Sequence, residues 1–162
     1  MADTHDERAR QVLARVLLDE KGFDRSQIET AVLLPVAVDN DAGSVRIDFV
    51  VRLNRRIAMI VIFGPGAIVS RQRPALAAGR LLAPYVIPRV VISNGEDAHV
   101  MNGYSGKVIG RGLAEIPSRR DVLAVQEESA EMRLDEDRRN KERRILFCME
   151  VLTERECQCH EC

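Results

Sequence analysis

Apolar residues return at helical spacing near the start of the chain, where Ala9, Val12, Leu13, Val16 and Leu17 fall on one face. Thr4-His5-Asp6-Glu7 ahead of them has the form of a capping box, and Gly22 behind them suits a C-cap, so a helix is predicted between the two. The pattern then changes. Residues 28–38 are apolar and rich in β-branched side chains, with Pro35 pointing to an edge position or a bulge. Asp39-Asn40-Asp41-Ala42-Gly43 supplies the turn. In the next strand Val45, Ile47, Phe49 and Val51 alternate with Arg46, Asp48, Val50 and Arg52, which would turn Asp48 away from the more apolar face. Leu53-Asn54-Arg55-Arg56 reverses the chain again. Residues 57–63 are apolar without a break, as expected of a central strand covered on both faces.

Gly64-Pro65-Gly66 ends that strand, and Arg73-Pro74 opens a helix over residues 75–82 that stops before Pro84. A strand at 88–93 runs into the turn pair Asn94-Gly95, and a smaller hairpin is predicted over 100–109 around Asn102-Gly103. Ser118-Arg119-Arg120-Asp121 begins another helical region. It continues without proline or glycine to about Glu156, as one long helix or a broken pair. The predicted fold is therefore α/β, an α-β-β-β-α-β core over residues 1–117, followed by a long C-terminal helical extension over 118–162. Ile145, Leu146, Met149 and Leu152 give that extension an apolar face, to pack along the domain or in a homodimer.

Composition refines this picture in two places. No apolar run approaches the length that crosses a bilayer, and the first 20 residues are charged and amphipathic, so a cytoplasmic protein without a membrane partner is expected. The net charge of −1 hides a strong asymmetry. Between Val45 and Ile92 stand eight arginines, no lysine and one acid, Asp48, a balance of +7 that leaves −8 for the rest of the chain. Arginine presents a planar fork that fits phosphate oxygens, so an anionic partner is expected, with nucleic acid foremost. Arg46, Arg52, Arg71, Arg73 and Arg80 are the candidate contacts, and Gly64 and Gly66 would let backbone N–H groups approach a phosphate.

The element order and several strings resemble the N-terminal nuclease domain of type I restriction enzyme R subunits, within the PD-(D/E)xK nuclease superfamily. The likeness is carried by ERARQVLARVL in the first helix, IDFVV around Asp48, VVISNGEDAHVMNGYSGKVIG and IPSR, over about residues 6–120. It implies a restriction-endonuclease-like fold with a mixed sheet, a DNA substrate, partner subunits of a restriction system, and Mg²⁺ held by a strand acid and a Glu-x-Lys on the next strand. Asp48 takes the place of the first acid, but the Glu-x-Lys place falls at Ile62-Phe63-Gly64, and the helix glutamine of such enzymes has Ala77 nearest to it. The resemblance thus implies a nucleic-acid-binding module with degenerate or residual hydrolysis. One alternative is an active Mg²⁺-dependent endonuclease with a migrated carboxylate, Glu7 or Glu29, beside Asp48. Another is a non-catalytic assembly module.

The assembly reading draws on the end of the chain. Cys157, Cys159, His160 and Cys162 cluster there with Cys148 upstream, and soft donors so placed are candidates for Zn²⁺. His5 and His99 lack a cysteine or acid pattern and are expected at the surface. No Ser-His-Asp pattern, P-loop or GxGxxG fingerprint is present.

Overall fold

A computed structural model of the chain describes residues 4–129 and 132–152. The protein is a mixed α/β structure around one six-stranded sheet in the order β1-β2-β3-β4-β5-β6. The strands are β1 (Ile28–Val38), β2 (Asp41–Leu53), β3 (Arg56–Phe63), β4 (Arg89–Ser93), β5 (Ala98–Asn102) and β6 (Val108–Arg111). β3 and β4 pair in parallel, and the other neighbours are antiparallel. The parallel pair needs a crossover, which α2 (Gln72–Leu81) provides. α1 (His5–Arg15), widened to a π turn over Val16–Glu20, packs on one face with α3 (Arg119–Ser129). α2 and α4 (Glu136–Leu146), which runs on as a π turn over Phe147–Leu152, cover the other.

Most elements form where the hydrophobic pattern puts them. Thr4 caps α1 by accepting from the Glu7 N–H at 3.2 Å, and Gly22 beyond it takes φ +79. Pro35 lies on β1, an edge strand, where its missing N–H costs no ladder bond. The C-terminal region is a broken pair of helices rather than one long one.

β2 departs from simple alternation. Val45, Ile47 and Val50 join the core under α2, whereas Phe49, Val51 and Leu53 join the core under α1. The side-chain parity slips by one residue at Asp48. Across the ladder Thr30 pairs with Phe49 and Val32 with Ile47, leaving Ala31 opposite Asp48 with φ +52. A left-handed residue in mid-strand rolls the chain over. β1 shows the same exchange, with Ile28 packed on one core and Leu34 and Val36 in the other. The expectation that Asp48 faces away from the apolar side is thus corrected: it sits at the roll-over, only 3% exposed.

α2 is enclosed on all sides, which its small residues permit. Ala75, Ala77, Ala78 and Gly79 bring it close to β4, and a Cβ on Gly79 would collide with Val90. α4 then clamps α2 from outside. Glu142, 4% exposed, accepts from both Arg73 Nη atoms at 2.8 and 3.0 Å and from Arg80 Nη1 at 2.8 Å. Arg139 donates back to the carbonyls of Arg80, Leu81 and Ala83, capping the C-terminal end of α2. Leu146, Phe147 and Val151 finish in the same core as β1 and β2, with Val151 against Gly43. Of the apolar face expected for the C-terminal helix, Leu146 is buried and Ile145 half-buried, whereas Met149 and Leu152 are exposed.

Burial pushes the Glu142 carboxyl up, but hydrogen bonds and charge from Arg73 and Arg80 outweigh it and hold the group below the ordinary glutamate value of 4.5. Because the folded value is the lower one, this stabilisation is complete above about pH 4.5 and disappears as pH falls through the folded value. Glu142→Gln should cost about 3 kcal/mol at neutral pH, since it leaves the Arg80 guanidinium buried without its counter-charge. Urea unfolding at pH 7 and pH 4 checks this, with a smaller penalty expected at the lower pH.

Candidate nucleic-acid cleft

β2 and β3 are hydrogen-bonded up to the pair Phe49–Val61 and then part. The Phe63 N–H, which would otherwise lack a strand partner on that side, donates to Asp48 Oδ2 at 2.7 Å. The acid therefore takes over from the ladder at the point where the strands separate. Its other oxygen, Oδ1, accepts from Arg10 Nε of α1 at 2.8 Å and from Arg46 Nε at 3.2 Å. Arg10 also lies over the Phe63 ring, 5.1 Å from its centroid. A carboxylate this buried needs hydrogen-bond donors, and here three of them engage its two oxygens.

Around this acid opens a cleft of about 520 Å³, lined by Arg10, Ser44, Arg46, Asp48, Ile62, Phe63, Ser70 and Arg71 among others. The Arg46 side chain is 48% exposed and that of Arg10 25%, and both hold the acid. Arg71 donates from Nε to the Pro65 carbonyl at 3.2 Å. Its stem lies against Gly64, where any Cβ would strike it. Leu146, Met149 and Glu150 of the C-terminal helical segment form part of the cleft wall.

The other expected residues have other partners. Arg73 and Arg80 are held by Glu142, with Arg80 also donating to the carbonyls of Gly103 and Tyr104, so neither belongs to the cleft lining. Arg52 is paired with Glu29 on the neighbouring strand. Gly64 donates its N–H to the Ser93 carbonyl at 2.9 Å, so this group is engaged within the sheet. Gly66 is exposed at φ +81, with its carbonyl accepting from Asn94 Nδ2 at 3.3 Å. Glu7 is exposed, 4.0 Å from Arg10 Nη1, which stands between it and Asp48. Cys157, Cys159, His160 and Cys162 lie outside the described residues. Among the described residues no group of three or more His, Cys, Asp or Glu side chains gathers as a metal site.

The fit of Mg²⁺ to Asp48 follows from the same contacts. A hard divalent ion wants carboxylate oxygens free to coordinate it, usually from more than one residue. Both Asp48 oxygens already accept from protein donors, and the apolar Ile62 lines the cleft where a second acid is expected. The residues present do not fit the ion.

One contributor to the cleft, Arg10, went unread in the sequence, and Gln72 and His99 lie elsewhere than expected. For Arg10 the signal was present: it stands three residues before the buried Leu13, on the edge of the inward face of α1. Gln72 opens α2, so a helix glutamine does exist, but its Nε2 meets His99 Nδ1 at 2.7 Å, and Gln72 is not among the cleft residues. His99 itself is buried, 6% exposed, and not the surface residue expected. Ala77 is wholly buried in α2.

Fold and cleft together describe an α/β domain in which a buried acid, Asp48, is held by arginines at the split between two central strands. The chain belongs to the family described as type I restriction enzyme R protein N terminus (HSDR_N), whose model matches residues 5–117. No curated protein and no solved structure matches it.

Replacing Asp48 by Ala should lower stability by about 2–3 kcal/mol, because the Phe63 N–H loses its acceptor and Arg10 and Arg46 lose their counter-charge. Chemical denaturation reads the loss directly. A variant as stable as the parent would show that the three donors are not what keeps the acid in place.

Proposed function

We propose that this domain is a nucleic-acid-binding module with the restriction-endonuclease-like fold, one that grips the phosphodiester backbone of DNA with arginines and has lost metal-dependent hydrolysis. The observation that carries the reading is the engagement of both Asp48 oxygens by Arg10, Arg46 and the Phe63 N–H, beside Ile62 in the cleft. A catalytic acid must be free to hold a metal or a proton. This one instead fixes two guanidiniums at the rim of a cleft wide enough for a nucleotide unit.

Arg46 and Arg71 supply the charge that a phosphate meets first, and Arg10 supports them from α1. Ser44 and Ser70, also in the lining, offer hydroxyl donors of the kind that position a backbone without reading its sequence. The family match supports a place beside the other subunits of a restriction system. In that setting a passive grip on DNA is useful to a partner that does the cutting or moving.

Binding should be salt-dependent and indifferent to Mg²⁺. Anisotropy titration of a fluorescein-labelled DNA duplex should give a log–log slope of about −2 to −3 against salt, since each neutralised phosphate contributes about −0.9. Arg46→Gln and Arg71→Gln should each make the slope shallower by about 1. Chelation of divalent ions should leave affinity unchanged. Cleavage that requires Mg²⁺ and vanishes in Asp48→Asn, or affinity insensitive to salt, would contradict the proposal.

A further inference from the structure

The cleft around Asp48 is only partly a charged one. Beside Arg10, Arg46 and Arg71, its lining includes Ile62, Pro74 and Met149. Met149 is the exposed member of this apolar set, with 40% of its surface open, whereas Ile62 is half-buried and Pro74 buried. Its neighbours along the chain fix its place. Phe147 and Val151 are buried on either side of it, and Val151 packs against Gly43 of β2. An exposed thioether is thus held in the lining of an arginine cleft.

A phosphodiester backbone uses the cationic part of such a lining and nothing of the apolar part. In a duplex the bases are paired and stacked, so the backbone is what a cleft of this kind meets. An unpaired nucleotide is different, because it joins a phosphate to a flat base with an exposed π-face. Both kinds of surface are present here within about 520 Å³, a size that suits one nucleotide unit. Phe63 does not serve as the platform for the base, since it is only 7% exposed and Arg10 lies over its ring. Methionine suits the role: its polarisable sulfur makes favourable contacts with aromatic rings, and its unbranched chain adapts to different bases.

We infer that the cleft takes an unpaired nucleotide of a DNA single strand, with Met149 against the base and Arg46 and Arg71 on its phosphates. This rests on the phosphodiester-binding reading above and goes further, because it names the form of nucleic acid that is held. It also gives the C-terminal segment, which lies beyond the matched residues 5–117, a direct part in binding. Charge alone works the other way. A duplex presents a denser array of phosphates than a single strand, so arginines acting by themselves favour the duplex. A preference for the single strand is the mark of base contact.

The test uses the full chain with three fluorescein-labelled probes of equal length: a DNA single strand, a duplex and an abasic strand. The single strand should bind about threefold tighter than the duplex or more, and the abasic strand should lack that advantage. Met149→Ala should weaken single-strand binding about three- to fivefold and change duplex binding by less than about twofold, the loss expected for one sulfur–aromatic contact. Its melting transition should stay in place, because the side chain is exposed. A duplex bound as tightly as the single strand, while Arg46→Gln and Arg71→Gln weaken both, would overturn the inference and leave the binding reading standing. So would a single-strand preference that Met149→Ala leaves intact. If the arginine variants bind both forms as tightly as the parent, the binding reading falls, and this inference with it.

Discussion

A carboxylate inside a protein is stable only where fixed donors replace the water it has lost, and the environment of Asp48 is built around that requirement. Its two oxygens receive Arg10 from α1, Arg46 from its own strand and the Phe63 N–H from β3. The same contacts determine where β2 and β3 part, how α1 leans on the sheet and which guanidiniums stand at the cleft. Ala31, forced to positive φ across from it, marks the roll-over that carries the acid inward. One side chain thus both completes a backbone ladder and pairs with two arginines, whose summed charge it only half offsets.

A second acid divides the arginines into two groups. Glu142 draws Arg73 and Arg80 onto α4, and with Arg139 it turns a highly charged helix into a cover for α2. These guanidiniums act within the fold. Arg46 and Arg71, by contrast, line the cleft. Of the eight arginines in this half of the chain, Arg73 and Arg80 thus serve internal clamping, while Arg46 and Arg71 line the cleft.

Element order and the buried run of β3 were legible from periodicity and turn chemistry, Pro35 left β1 as an edge or a bulge, and the mixed sheet came with the family resemblance. The importance of Asp48 as a lone acid among arginines was legible too. Its surroundings were not legible, since alternation cannot register a parity slip caused by the backbone of Ala31 on another strand. The role of Arg10 depends on a contact across 38 residues. Arg73 and Arg80 misled for a related reason: their partner Glu142 lies 69 and 62 residues away, in a helix whose charges read as solvated. Local pattern reports which side chains are charged, and only the fold decides which charges meet.

If hydrolysis has been lost because protein donors occupy Asp48, then a divalent ion has no place to bind there. An NMR titration that follows the Phe63 amide and the Arg10 Nε–H as Mg²⁺ is added tests this most directly. Both signals should stay where they are, with the Phe63 amide still protected from exchange. Saturable shifts of the two signals, together with faster exchange at Phe63, would show that the ion takes the carboxylate from its donors and would contradict the account.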